Sequence, residues 1–358
     1  MKAVKILLLV LLFVFIPLQS AFAAGTKTLD SYIPMDEVFY DHWANEEMTD
    51  LINADIIDGY VDDENNMYVK PNDSITRAQF VKIIVSALGL TSDGPGTTFS
   101  DVKQNHWYTD SIRIASDLGI ISGNNGQFYP NNNITRAEIT KIIVKSFEKT
   151  VDFQNTNSKA FTDVDSKNWA YEYISKASSA NIVNGNGSQF NPTKNATRAE
   201  AMVMIHRALQ KEQSALPNDA DLTAFLTDHI TRENALAETN SFAELAALYN
   251  EHGTGYYLVE GLLTTEWLSP QEEGMEYTVQ IDDENLNLNV LQKSNRFATV
   301  EATGMIMSIV IKSPDFNMDA RENMDGIYNL KKDPISGEWK IYNYLPSFDE
   351  EEFLAENL

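Results

Sequence analysis

Up to about residue 212, apolar residues return at helical spacing in short bursts; beyond residue 270 they alternate. Phe80, Ile83, Ile84, Ala87 and Leu88 fall on one helical face. So do Ile139, Ile142, Ile143 and Phe147, and again Ala201, Met204, Ile205, Ala208 and Leu209. A shorter set steps by three: Met48, Leu51, Ala54; Ile112, Ala115, Leu118; Ile174, Ala177, Ala180. The pattern predicts three pairs of helices. Each short helix is followed by a residue that tolerates the left-handed conformation closing a helix, Asp55, Gly119 or Asn181. Each long helix opens on Thr76, Thr135 or Thr197, with Gln79, Glu138 or Glu200 three residues later. That is a capping box, and its cap is worth roughly 0.5–2 kcal/mol.

The pairs are copies of one unit. Gly59, Gly123 and Gly185 each follow Trp43, Trp107 and Trp169 by sixteen residues, and Pro71, Pro130 and Pro192 each precede the capping Thr by five. From Trp to Thr is 33, 28 and 28 residues, so the first copy carries five extra. One helix pair cannot bury both of its stripes, whereas three can pack their long helices together, which predicts a mainly α, pseudo-threefold assembly.

The capping box leaves Arg77, Arg136 and Arg198 unexplained. A cation in the first helical turn faces the positive end of the dipole and loses about 0.3–1 kcal/mol. Three at one offset imply an anion, either a carboxylate elsewhere in the fold or an external ligand. A first-turn Arg contributes little to its own helix, so exchange for Ala is expected to leave the fold nearly intact.

After residue 212 the pattern changes. Residues 221–236 and 241–250 read as amphipathic helices, the second with Ser241 and Glu244 as a capping box. Strands are expected at 277–281, 286–290, 297–302 and 305–311, with a hairpin over 326–345 turning at Pro334–Gly337. Two helices and four to six antiparallel strands make an α+β domain with a curved sheet, similar in topology alone to the NTF2-like or cystatin-like fold. The expected division is 1–23, 30–90, 97–150, 159–212 and 219–358, the last folding alone.

Lys2 and Lys5, the apolar run Ile6–Ile16 and the small-residue site at Ala21–Ala23 read as a signal peptide cleaved after Ala23. Export without a transmembrane segment is expected. There is no Cys, hence no disulfide framework. The formal charge is −25; residues 24–212 hold 17 basic and 25 acidic residues (−8), and 213–358 hold 8 and 27 (−19). Such acidity argues against a nucleic-acid or anionic-membrane binder. No zinc-protease, hydrolase-elbow or phosphate-loop motif occurs, so no catalytic residue, metal or cofactor is predicted. Asp282-Asp283-Glu284 reads as a solvated turn, Glu260 and Glu266 are not set apart as catalytic, and His229 and His252 read as surface histidines.

Copy two reads Phe99, Asp101, Val102, Trp107, Gly119-Ile120-Ile121, Gly123, Phe128, Pro130, Ile134 and Thr135 to Glu138; copy three keeps Phe161, Asp163, Val164, Trp169, Phe190, Pro192 and Thr197 to Glu200. This pattern resembles S-layer homology repeats over about residues 30–212. Copy one departs, with Met35-Asp36-Glu37-Val38, one extra residue before Trp43, and Gln79 for Glu. The resemblance implies a secreted protein anchored non-covalently to a Gram-positive-type cell wall, through grooves that bind secondary cell-wall polysaccharide, often pyruvylated. It implies ligand contacts by the three arginines and by Trp43, Trp107 and Trp169, with Asp36, Asp101, Asp163, Gly59, Gly123 and Gly185 shaping or joining the grooves. For the tryptophans burial in the core stays an equal reading, for the aspartates an internal partner, and for the glycines a turn with positive φ. Acidic protein and acidic polymer repel weakly, since screening acts beyond about 8–10 Å. The C-terminal domain is then a displayed binding module; a wall-tethered enzyme and a lattice-forming S-layer subunit are the rivals.

Overall fold

The computed structural model describes residues 27–154, 158–268, 276–312 and 317–347; the predicted signal peptide, 1–23, lies outside the described residues. The six helices of the repeats form as α1 (Asn45–Asn53), α2 (Arg77–Ala87), α3 (Thr109–Asp117), α4 (Arg136–Phe147), α5 (Tyr171–Ser179) and α6 (Arg198–Gln210). All three capping boxes are closed, Thr Oγ1 accepting the amide three residues on. Asp55, Gly119 and Asn181 close the short helices at φ of +54°, +70° and +57°. Leu118 departs from its predicted face: it is the C-cap of α3, where the chain turns away, and stays exposed. The extra residues of copy one form a small hairpin, β1 (Tyr60–Val61) with β2 (Met67–Tyr68).

The repeats close into a ring. Ile134 N–H donates to the Ile75 carbonyl (3.0 Å), Ala196 N–H to Ile134 (2.9 Å) and Ile75 N–H to Ala196 (3.3 Å). Each short helix packs on the long helix of the preceding copy, α3 on α2, α5 on α4 and α1 on α6. Three seams result, one between each pair of copies.

Among its described residues the C-terminal region has three helices rather than two: α7 (Asp219–Glu238), α8 (Phe242–His252) and α9 (Gly255–Leu268). Helix α9 shows no apolar stripe because it is covered on two sides. Tyr256 and Val259 pack on the core of the repeats, and Tyr257, Leu258 and Leu262 on the sheet. Ser241 caps α8 without a side-chain bond, against the expected capping box. Seven antiparallel strands follow, β3 (Glu276–Asp282), β4 (Asn287–Lys293), β5 (Phe297–Thr303), β6 (Ile306–Lys312), β7 (Asn317–Asn323), β8 (Gly326–Lys332) and β9 (Trp339–Pro346). They form a three-stranded part, order β3-β6-β7, and a four-stranded part, β4-β5-β8-β9. The chain passes from one part to the other at a bend between β5 and β6. There Gly304 has φ +86°, and a Cβ would stand 2.2 Å from the Asn285 carbonyl oxygen. Leu222, Leu226, Ile230, Leu245 and Leu248 of the helices meet Val300, Ala302, Leu330 and Ile341 of the sheet in one core.

This region is seated on the ring. Phe297 and Tyr342 join the core of the repeats. Tyr342 Oη donates to Asp50 Oδ1 (2.7 Å), whose other oxygen meets His206 Nε2 at 2.8 Å. Arg296 pairs with the fully buried Glu212.

Candidate functional site

Each junction arginine crosses its seam. Arg77 Nε donates to the Phe128 carbonyl (2.9 Å) and Nη1 pairs with Glu138 (2.6 Å), with the guanidinium 4.7 Å from the Phe128 ring centre. Arg136 repeats this on copy three, with Phe190 O at 2.8 Å, Glu200 at 2.9 Å and the Phe190 ring at 4.8 Å. Arg198 closes the ring on copy one, donating to Val69 O (2.9 Å) and Asp58 O (3.1 Å) and lying 4.8 Å from the Tyr60 ring. Copy one has Gln79 where the others have Glu, and Gln79 Nε2 donates to Tyr60 Oη (3.1 Å) instead. Arg198 therefore has no carboxylate among the described residues within ion-pair distance, and its burial pulls its pKa down against the opposing pull of Tyr60. For Arg77 and Arg136 the anion implied by the sequence is present inside the chain.

The aspartates hold the same peptides from the other side. Asp101 accepts the amides of Phe128 (2.8 Å) and Tyr129 (2.7 Å), Asp163 those of Phe190 (2.8 Å) and Asn191 (2.7 Å), and Asp36 those of Val69 (2.6 Å) and Lys70 (2.9 Å). Burial raises the Asp163 pKa, but the amides of Phe190 and Asn191, its own amide and the charge of Arg136 together leave the carboxyl below its usual range. The result is one relay per seam, aspartate to amide and carbonyl to arginine, through a single peptide group.

The helix heads have no free amides to share with a ligand, although a helix N-terminus is otherwise an anion site. Arg136 N donates to Lys194 O (3.0 Å), Ala137 N to Pro192 O (3.0 Å) and Glu138 N to Thr135 Oγ1 (3.3 Å); the other two helices repeat the scheme. The glycines answer to close approach. A Cβ on Gly123 would lie 2.4 Å from Gln127 O and 2.5 Å from the Phe99 ring, one on Gly185 2.4 Å from the Phe161 ring, and one on Gly59 2.2 Å from Met67 Sδ. Of the three, only Gly185 has positive φ, +65°.

The tryptophans are not core residues. Trp43, Trp107 and Trp169 are 61, 51 and 59 % exposed, one at the head of each short helix. Lys82 Nζ lies 5.9 Å from the Trp107 ring centre and Lys141 Nζ 6.0 Å from that of Trp169, each across a seam. These lysines went unnoticed in the sequence; their shared offset of five residues from Arg77 and Arg136 was the available signal.

Residues 40–81, 98–140 and 160–202 each match the S-layer homology domain. The chain carries three S-layer homology domains. An amylopullulanase of Thermoanaerobacterium thermosulfurigenes is 35% identical over 175 residues, 48% of this chain and 9% of that protein. The S-layer protein sap of Bacillus anthracis is 28% identical over 187 residues (52% and 22%). The cellulosome-anchoring protein of Acetivibrio thermocellus is 30% identical over 149 residues (40% and 33%). The chain thus spans between 9% and 33% of the length of these relatives. Among solved structures, the intermembrane space region of the chloroplast protein ARC6 aligns with TM-score 0.28 and 16% identity, covering 37% of this chain and 98% of that one, too slight a likeness to bear on the fold.

The histidines expected on the surface of the C-terminal region are buried. His229 Nδ1 faces His252 Nδ1 at 3.3 Å and His229 Nε2 meets Tyr257 Oη at 2.7 Å. Tyr257 and Tyr249 both donate to Glu233 Oε1, at 3.2 and 2.6 Å. The signal was in the spacing, since His229 lies three residues after Leu226 and seven after Leu222, inside the buried stripe of α7. Among the described residues no group of His, Asp and Glu is arranged to hold a metal ion, and no helix is long and apolar enough to cross a membrane.

Proposed function

We propose that the repeats bind a carboxylate-bearing secondary wall polysaccharide, a pyruvylated sugar being the chemistry that suits them, and so hold the chain non-covalently on the wall. The three domains make this a secreted, cell-surface, wall-associated protein, like relatives named as S-layer and cellulosome-anchoring proteins. The observation that carries the polysaccharide reading is the pairing of an open indole with a lysine on a seam, as at Trp107 and Trp169. A sugar ring can stack on such a face at little side-chain entropy cost, and its carboxylate finds an ammonium beside it. Arg77 and Arg136 line the same seams with side chains still 13 and 10 % exposed, neutralised in part by their glutamates. The aspartates and glycines serve the ligand indirectly, by fixing the loops that the arginines grip.

The C-terminal α+β region, with its bent sheet and covering helices, is the module displayed from this anchor, in the manner of an NTF2-like binding domain. The test is sedimentation of the secreted chain with purified wall sacculi before and after acid extraction of the polysaccharide. Retention by unextracted sacculi alone is expected; equal retention by both overturns the reading.

A further inference from the structure

The three seams differ in side chains that the ring itself does not use. The position five residues after the junction arginine is Lys82 in copy one and Lys141 in copy two, but Val203 in copy three, which is buried. Trp43, on the seam between copies three and one, has no lysine over its ring among the described residues. The first turn of α1, which follows it, carries two carboxylates. Glu46 and Glu47 follow Trp43 by three and four residues. The equivalent positions hold Asp110 and Ser111 in copy two, and Glu172 and Tyr173 in copy three. Asp110 and Glu172 are each neutralised within their own helix, by Arg113 at 2.8 Å and Lys176 at 2.7 Å. Glu47 has only Arg207 at 3.6 Å, and Glu46 has no ion pair among the described residues.

The far end of this third seam is already occupied. A cavity of about 540 Å³ there is lined by the carboxylates Glu46, Glu47 and Asp50 and by the cations Arg207 and Lys211, with His206 and Gln210. Two of its lining residues hold the C-terminal region, Asp50 through Tyr342 (2.7 Å) and Gln210 through Gln292 (2.7 Å). Asp50 and His206 replace Ile114 and Val85, and Lys176 and Val144, at the matching positions of the other two seams. Only the seam on which the C-terminal region sits is polar at both positions; the first has none and the second only Lys176.

We propose that this chain grips the anionic wall polymer through two seams only, at Trp107–Lys82 and Trp169–Lys141, and that the third seam is the seat of the C-terminal region. This rests on the wall-polysaccharide reading. A carboxylate-bearing sugar gains an ammonium partner at the first two seams; at the third the lysine position is Val203, and the helix turn that follows the indole carries Glu46 and Glu47. Two subsites on one polymer raise retention through effective concentration, so loss of one is felt strongly and loss of both removes binding, although Trp43 and Arg198 remain.

The test is retention of the secreted chain on unextracted sacculi, with acid-extracted sacculi as background and thermal melts to confirm folding. Lys82→Gln and Lys141→Gln are each expected to weaken retention roughly tenfold or more. The exposed pair Trp107→Ala/Trp169→Ala is expected to fall to the background level with an unchanged melt. If that double variant keeps retention within about tenfold of the parent, the third seam binds polymer and the two-seam inference is overturned while the wall reading stands. If the unaltered chain binds extracted and unextracted sacculi equally, the wall reading itself fails.

Discussion

Arg136 carries two structural bonds, to Phe190 O and Glu200, in a setting where the guanidinium is nine-tenths covered. Removing it leaves Glu200 with only Lys194 at 3.5 Å as a cationic partner and takes the donor from the Phe190 carbonyl, and breaking a largely buried pair from one side costs about 3 kcal/mol. Arg136→Ala should therefore lower stability by about that much in chemical denaturation, and Arg136→Ala/Glu200→Gln should recover part of the loss. The expectation that such an exchange leaves the fold nearly intact counted only the helix that bears the arginine, whereas its partners sit 54 and 64 residues further on. The glycines divide similarly. Gly123→Ala drives a Cβ into Gln127 O and the Phe99 ring, an overpacking cost of about 1–3 kcal/mol. Gly126→Ala meets nothing within 4 Å and costs only its φ of +76°, about 1–2 kcal/mol. Urea midpoints of the two variants should rank in that order. Spacing showed that these residues recur; what each arginine touches lies in the neighbouring copy, which no local pattern encodes.

At the level of helices and strands, periodicity found what has one wet side. The six repeat helices and α7 and α8 do; α9, covered on two sides, and β7, whose NMDAREN run is polar, do not, and both were missed. The histidine pair between α7 and α8 follows the same logic. Burial, chiefly, together with the neighbouring His252, lowers the His229 pKa to about 3, and burial also lowers that of His252. A histidine depressed in the folded state binds its proton preferentially when unfolded. Its contribution is thus complete above its unfolded value of about 6.5 and is lost as pH falls towards 3. Burial raises Glu233, which acts in the opposite sense: stability rises as pH falls through its folded value, until the unfolded carboxyl also protonates near 4.5. Charged groups facing the pair are Asp228, Arg232, Glu251 and Lys340. The melting temperature should fall between pH 6 and pH 4, most steeply below about 4.5, and His229→Gln should flatten that part of the profile. A parallel profile for the variant would assign the acid loss to other groups. Thr135→Ala, by contrast, should cost about 1 kcal/mol through its lost cap at any pH in this range.

For the molecule as a whole, the C-terminal region was expected to fold alone, and its own core of helices and sheet was legible in the sequence. Its seat was not, because Phe297 and Tyr342 look like ordinary strand residues until the ring is placed beneath them. With those two rings inside the repeat core and Glu212 buried against Arg296, calorimetry of the secreted chain should give one cooperative transition. Two separated transitions, the earlier one abolished by truncation after residue 212, would show independent units.

The closed ring also fixes a count. In an open stack of repeats a further copy can always be added at the end, and terminal copies need special outer faces. Here the Ile75 amide that a further copy would have to engage is already taken by Ala196, and the Val69 carbonyl by Arg198. A fourth copy inserted in the gene would find no vacancy, and a chain reduced to two would leave donors and acceptors facing each other across a gap. Duplication of such an anchor is therefore expected to proceed in whole triplets.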